Sequence, residues 1–333
     1  MRFAAIPLTT LALAAAVPAH ANDSAAAVGL GGIELRQNGA VSMDSEDLFI
    51  SKDEVRVSYR FTNRSARPVE TVVSFPVPVL AADSGMFEGD TAVPDYRSLD
   101  FRTTVDGRPV KLGVTEQALL RGRDITARLK ALGWPVNWMV KGGEVPEFVR
   151  RLGAAQRAAY RKEGLLKPTY AGSTSLMPAW DVVTHITRNQ VFPPGRTVVV
   201  THRYKPINGG SVAGALEPGY RGTDKWHRTT YCIDPDFYAA YDRRQAAERK
   251  AHPDNPAYAS ETWISYILGS GRNWKGPIGE FRLVVDKGKP DNLVSFCMNG
   301  VKKISPTQFE VRKTRFEPKG NLEILIAEWY RPE

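Results

Sequence analysis

Cysteine is almost absent. Cys232 and Cys297 are the only two in 333 residues, which excludes a disulfide-dense scaffold and a cysteine-rich zinc module. Beyond the N-terminus no run approaches the roughly 18 apolar residues that a helical membrane span needs. Histidine is scarce too. His185, His202, His227 and His252 are the four beyond residue 21; His185 and His202 lie in strand-like runs and could share a face, but neither has a neighbouring ligand at a diagnostic spacing. No metal site and no cofactor are therefore expected. Gly29, Gly31 and Gly32 begin a nucleotide-loop pattern, but its third glycine would fall at Glu34. Gly209-Gly210-Ser211-Val212-Ala213 misses the nucleophile-elbow pattern at its last position and sits in a β setting, so it reads as a turn. Asp44, Glu46 and Asp47 lack the frame of a calcium loop and read as a solvated turn before a strand. No residue is singled out as catalytic. Carboxylate pairs in β proteins are distant in sequence, so catalysis is not thereby excluded.

What is present begins with an export signal. Arg2, the apolar stretch Ile6 to Val17 and Ala19-His20-Ala21 read as a signal peptide over 1–21. The chain is expected to be periplasmic or secreted, with no transmembrane segment after cleavage. The remaining 312 residues suffice for a large core, which at this length tends to divide in two. The net charge of +9 becomes +8 when Arg2 is lost. An exported basic protein meets anionic lipids and polysaccharides rather than nucleic acid, although evenly spread charge also serves solubility. In an oxidising compartment Cys232 and Cys297 are expected to form a disulfide, with two buried thiols as the alternative. A bond between positions 65 apart contributes about 4 kcal/mol in the chain-entropy account.

Strand periodicity dominates the pattern. Val55, Val57, Tyr59 and Phe61 alternate with Glu54, Arg56, Ser58 and Arg60, as in an antiparallel sheet with one wet face. Val69 to Phe75 follows. Leu99 to Val105 and Pro109 to Val114 flank Asp106-Gly107, a hairpin turn. The spacing of short strands predicts a β-sandwich over 22–115. From 116 to 170 the spacing becomes helical. Asp124 can cap a helix carrying Ile125, Leu129 and Leu132. Val145, Phe148, Val149, Leu152, Ala155, Ala159 and Tyr160 form a stripe flanked by basic residues. That helix is expected to pack on its own protein rather than on a membrane surface. Trp134 and Trp138 are expected to pack under a loop. Strands resume over 171–333 with Val182 to Ile186 and Val198 to Tyr204, and a further strand is predicted to end at Cys232. Asp234 and Pro235 open a helix reaching about 250.

Residues 263–300 organise this second half. Ser260 and Gly269 predict a helix near 260–268, and Phe281 to Asp286 with Leu293 to Met298 predict a hairpin. The fold class is thus mainly β, two antiparallel β-sandwich-like modules with α-helical insertions. Trp226 and Trp274, beside Arg228 and Arg272, are the candidate ligand-binding residues, because Trp and Arg dominate hot spots and sugar platforms. Core packing is the competing role for each tryptophan. The expected function is a non-enzymatic binding or accessory module of the cell envelope, for a partner protein or an anionic glycan. The alternative is a hydrolase of an envelope polysaccharide or peptidoglycan, which would require a cleft with paired carboxylates or a His-centred cluster.

Several segments carry a family resemblance: NDSAAAVGLGGIEL, SEDLFIS with VRVSYRFTN, VSFPVP, GRDITARLKALG, FPPGRTVVVTHRYKP, YCID, NWKGPIGEFRLVVDKGKPDNLVSFC and KKISPTQFE. With these the chain resembles a bacterial family of exported proteins, the domain of unknown function 4424 family. The resemblance spans nearly the whole chain after the signal. It implies one family-length unit and an exported location, and it brings with it no catalytic residue or ligand.

Overall fold

Alternating burial sets most of the elements. In one strand Val55, Val57, Tyr59 and Phe61 are buried while Arg56 and Arg60 face water. The computed structural model describes residues 24–29, 32–35, 38–77, 79–82, 99–139, 144–221 and 225–331; the expected signal segment lies outside them. In chain order the strands begin with β1 (Ser24–Gly29), β2 (Gly32–Leu35), β3 (Val41–Ile50), β4 (Val55–Asn63) and β5 (Val69–Pro76). Next come β6 (Arg102–Val105), β7 (Arg108–Pro109), β8 (Gly113–Leu120) and β9 (Arg123–Asp124). Helices α1 (Thr126–Ala131), α2 (Glu147–Arg150) and α3 (Ala154–Glu163) lead to β10 (Leu166–Pro168) and β11 (Leu176–Pro178). Then follow β12 (Asp181–Phe192), β13 (Thr197–Tyr204), β14 (Asn208–Ser211), α4 (Lys225–Thr230) and α5 (Pro235–Ala251). The chain closes with β15 (Tyr258–Tyr266), β16 (Ile278–Asp286), β17 (Leu293–Phe296), β18 (Lys302–Lys303), β19 (Gln308–Phe316) and β20 (Leu322–Tyr330).

Three larger sheets result. A six-stranded sheet runs β2-β1-β5-β12-β8-β9, an eight-stranded sheet β18-β19-β16-β3-β4-β13-β6-β7, and a four-stranded sheet β14-β15-β20-β17. The pairing of β16 with β3 is parallel. The eight-stranded sheet serves both sandwiches. Phe75, Ile186 and Phe192 of the six-stranded sheet and Ile264, Tyr266, Ile324 and Ile326 of the four-stranded sheet belong to one continuous core with it. Tyr59 and Tyr266 join hydroxyls at 3.0 Å inside that core, so the polar tips of two large side chains satisfy each other where water does not reach. The far face of the four-stranded sheet is covered by α4 and α5. Tyr231, Phe237 and Tyr241 pack there with Ala259, Leu325 and Trp329. β20 is therefore buried on both faces and reads as a nearly continuous apolar run.

The expected turn at Asp106-Gly107 forms, both residues having positive φ as a two-residue hairpin requires. Asp234 caps α5 by accepting the Phe237 N–H at 2.7 Å. The indoles of the helical insertion pack as expected. Trp138 Nε1–H donates to the Trp180 carbonyl at 3.0 Å, and Trp180 Nε1–H donates to that of Val136 at 2.9 Å.

Other expectations are corrected. Residues 258–266 are strand β15, not a helix. Ile264 and Tyr266 face the shared core and Trp263 the helical layer, so a covered place between β14 and β20 overrides the local capping signals. The hairpin expected over 281–298 does not form. β16 pairs with β19 and β3, whereas β17 pairs with β20 across the sandwich. The connecting loop is tied together by Lys287, whose ammonium donates to the carbonyls of Pro290 and Asn292 at 2.7 and 2.5 Å. The strand predicted to end at Cys232 is helix α4 followed by a turn, with Cys232 itself at φ +52°. The helical stripe from 145 breaks at Gly153, and α3 buries none of its residues. Phe148 and Tyr160 reach Trp134, but Ala155 and Ala159 stay exposed because they offer little apolar area. His185 and His202 stand in different sheets. β4 pairs with β13 and β5 with β12, so strands on both sides of 116–170 share sheets.

Candidate functional site

The shared core ends in an open groove of about 850 Å³. One wall is β17 and the residues after it; the other is β19 and the 317–321 connection. Val294, Phe296, Met298, Phe309, Phe316 and Leu322 form its floor. All six belong to the core cluster or pack on it, so the groove is the uncovered mouth of the sandwich. Lys313, Glu317 and Lys319 stand on one side, and Cys232 and Asp234 on the other. Asp234 already serves as the α5 cap, and the Lys313 ammonium donates to the Asn299 carbonyl at 2.7 Å. A disulfide joins Cys232 to Cys297 at this rim. Apolar floor with a polar lip is the usual composition of a recognition site.

Helix α4 lies against the groove through Cys232. It is held to the four-stranded sheet by a second, buried link, because His227 Nε2 lies 2.6 Å from Glu261 Oε2, which also accepts from Trp263 Nε1–H at 2.7 Å. The Oε1 atom of Glu261 is buried without a hydrogen-bond partner among the described residues. The backbone of β14 passes so close that a Cβ on Gly210 would lie 2.7 Å from the Glu261 carbonyl oxygen, which explains a glycine in the pattern that resembled a nucleophile elbow. The Ser295 hydroxyl donates to the Tyr231 carbonyl at 2.8 Å and fastens the turn after α4 to β17.

The four sequence-predicted binding residues separate. Trp226 is 59% exposed on α4, edge-on to Tyr231, and Arg228 is exposed on the same helix. Arg272 is exposed in the 3-10 turn at 269–273 and lines a recess of about 210 Å³ that shares Phe316, Glu317 and Pro318 with the groove. Trp274 is a correction. It is 1% exposed, with ring centroids 4.6 Å from Phe61 and 5.7 Å from Phe192, so it backs the recess as a core residue and offers no stacking face. Sequence reasoning missed the His227–Glu261 link, whose partners lie 34 positions apart, and missed the groove, whose walls come from different sheets. The apolar, uncharged run LVSF was the one available signal.

Among the described residues no three His, Cys, Asp or Glu side chains are grouped to hold a metal ion. His185 is instead a structural bridge. It accepts from the Ser74 hydroxyl through Nδ1 and donates from Nε2 to Gln117 Oε1, both at 3.0 Å, a tautomer assigned from the fact that Oε1 can only accept. Burial pushes its imidazole down to about 4. The unfolded chain takes up this proton near pH 6.5 and the folded chain only near 4, so stability falls as the pH drops through that window. The expected loss from this group is about 2 kcal/mol between pH 7 and pH 5. Urea unfolding at both values checks it: His185→Gln should flatten the difference, and an unchanged difference would reject the assignment.

Sheets and groove together define a mainly β protein of sandwich type with an open cleft at the mouth of its shared core. The chain belongs to the family described as Domain of unknown function (DUF4424), which it matches over residues 21–325. No curated protein matches the sequence. Two solved structures are similar in part. One is a candidate nutrient binding protein from Legionella pneumophila, at 14% identity and TM-score 0.45, covering 87% of this chain and 68% of the other. Another is an M1 zinc metallopeptidase from Deinococcus radiodurans, at 9% identity and TM-score 0.26, covering 87% of this chain and 43% of that one. Neither likeness reaches the level of a shared fold. Among the described residues no helix is long and apolar enough to cross a membrane.

Proposed function

We propose that this is an exported binding or accessory module of the cell envelope, one that holds a partner protein or an anionic glycan in the groove beside the Cys232–Cys297 disulfide. The open groove carries the proposal. A monomer gains by covering large apolar side chains, and here Phe296, Phe309 and Phe316 line a cleft open to water. Export is supported by the N-terminal signal pattern and by a disulfide, which persists in oxidising compartments. Trp226 and Arg228 on α4 and Arg272 at the recess extend the surface on which a ligand would rest.

Thermal shift tests the reading. The protein exported from the full chain, its cleavage after Ala21 checked by mass, is melted with anionic polysaccharides, lipopolysaccharide, anionic vesicles and a peptide library. A ligand at a hundred times its Kd should stabilise the protein by about 2.7 kcal/mol. Trp226→Ala or Lys319→Glu, both exposed changes, should weaken the shift and leave the unliganded melt within about 0.5 kcal/mol of the parent. No shift with any of these ligands would sink the proposal. Release of shortened polymer during incubation would replace binding with hydrolysis.

A further inference from the structure

The ends of the sheets differ in one respect. A strand at a sheet edge presents unpaired N–H and C=O groups, and proteins blunt such edges with charge, proline or brevity, while glycine weakens a strand. Here β7 is Arg108–Pro109, β9 is Arg123–Asp124 and β18 is Lys302–Lys303. β14 is Asn-Gly-Gly-Ser, β2 contains Gly32 and Glu34, and β10 and β11 each contain a proline. β17, Leu293-Val294-Ser295-Phe296, is as short as β2 and β14, but among the described terminal strands it alone has no charge, glycine or proline. It is also the strand that walls the groove. The opposite wall is β19, which pairs outward with β18 only at Phe309 and Glu310.

We infer that the groove takes an extended peptide segment of a second protein, added as a further strand to the open edge of β17. The inference rests on the binding-module reading and names its partner class. Main-chain hydrogen bonds to β17 would supply affinity, and alternate side chains would read the floor. Successive residues of an added strand point to opposite faces. One set would meet Val294, Phe296 and Phe309 and is therefore mainly apolar; where it reaches Lys313, which shares a face of β19 with Phe309, and Lys319 beyond it, carboxylates are favoured over ammonium groups. The other set points away from the floor and is polar. Glu317 is the single carboxylate on that wall, and Asp234 across the groove is already occupied by its helix. A second copy of this chain is the poorer occupant, because its own β17, Leu293–Phe296, would bring no carboxylate to Lys313 and Lys319.

The test uses a phage-displayed library of random nonapeptides selected against the intact protein. The expected winners alternate apolar with polar or acidic residues. Their synthetic forms should bind saturably and slow hydrogen exchange at the amides of residues 293–296. N-methylation of one alternate set of peptide amides should abolish binding, while methylation of the other set is tolerated, because only one edge of the added strand faces β17. Val294→Lys, which gives this edge a charge of the kind β7, β9 and β18 carry, should weaken binding at least tenfold. Lys319→Glu, remote from the core, should reverse the preference for acidic peptides. Winners without alternation, equal sensitivity to both methylation sets, or concentration-dependent dimerisation protecting 293–296 without peptide would overturn strand addition. If an envelope polymer shifts the melt through Lys319 while the library yields no alternating binder, strand addition fails and the binding-module reading stands.

Discussion

Trp274→Ala is expected to lower the stability of the folded chain by about 3–5 kcal/mol, the range for removing a large aromatic side chain from a packed interior. Trp274 follows the 3-10 turn at 269–273 and inserts between β4 and β12, touching Phe61 and Phe192. Those two rings also meet edge to face at 5.8 Å, so the indole completes a three-ring cluster joining the eight-stranded and six-stranded sheets. Its deletion leaves a cavity that two sheets cannot both move to fill. Trp274→Phe, keeping most of the apolar area, should lose less. Urea unfolding measures both variants, and a loss below 1 kcal/mol for the alanine variant would show that the ring is not part of the core. The neighbouring case is the opposite: Trp226 is exposed on α4, so its alanine variant should melt like the parent.

Replacing both cysteines in Cys232→Ser/Cys297→Ser is expected to cost about 4 kcal/mol by the loop-closure account. The closed loop contains α5, β15 and β16, so the unfolded chain regains a long tether when the bond is absent. Both cysteines are exposed, so a mild reductant should reproduce the effect without mutation. A local consequence accompanies the global one. The turn after α4 would lose its covalent tie to β17 and keep the Ser295 hydroxyl, the buried His227–Glu261 link and the packing of Tyr231 to hold it to the sheet. Hydrogen exchange should therefore rise first in residues 229–234 at reductant levels that leave the β15–β20 ladder protected. Equal stability of the oxidised and reduced protein would reject this account.

Much of the fold was legible because it is written in local periodicity. The two-residue repeat over 55–61 and the Asp106-Gly107 turn each stand where the residues said, and Asp234-Pro235 starts its helix. Each depends on neighbours a few positions away. Misreadings occurred where local and distant demands disagreed. Ser260 and Gly269 satisfy helix-capping preferences, yet Tyr258–Tyr266 gains nine paired positions with β20 as a strand. The two runs at 281 and 293 look like hairpin partners, yet each has an apolar face that a different sheet covers.

The candidate site shows the same division. The disulfide was legible, since two cysteines have one pairing. The roles of the tryptophans were not. Trp226 and Trp274 stand in similarly polar, basic surroundings in the sequence, and only packing made one a surface residue and the other a core residue. The sequence by itself determined a mainly β chain of one family, its Cys232–Cys297 pair and the positions of most strands. Tertiary structure alone decided that β3 lies beside β16, more than 200 positions away, that one sheet serves two sandwiches, and that β17 ends as an uncharged edge over an open groove. Periodicity records which face of a strand is apolar, whereas strand neighbours and sheet edges depend on non-local burial that no local pattern encodes.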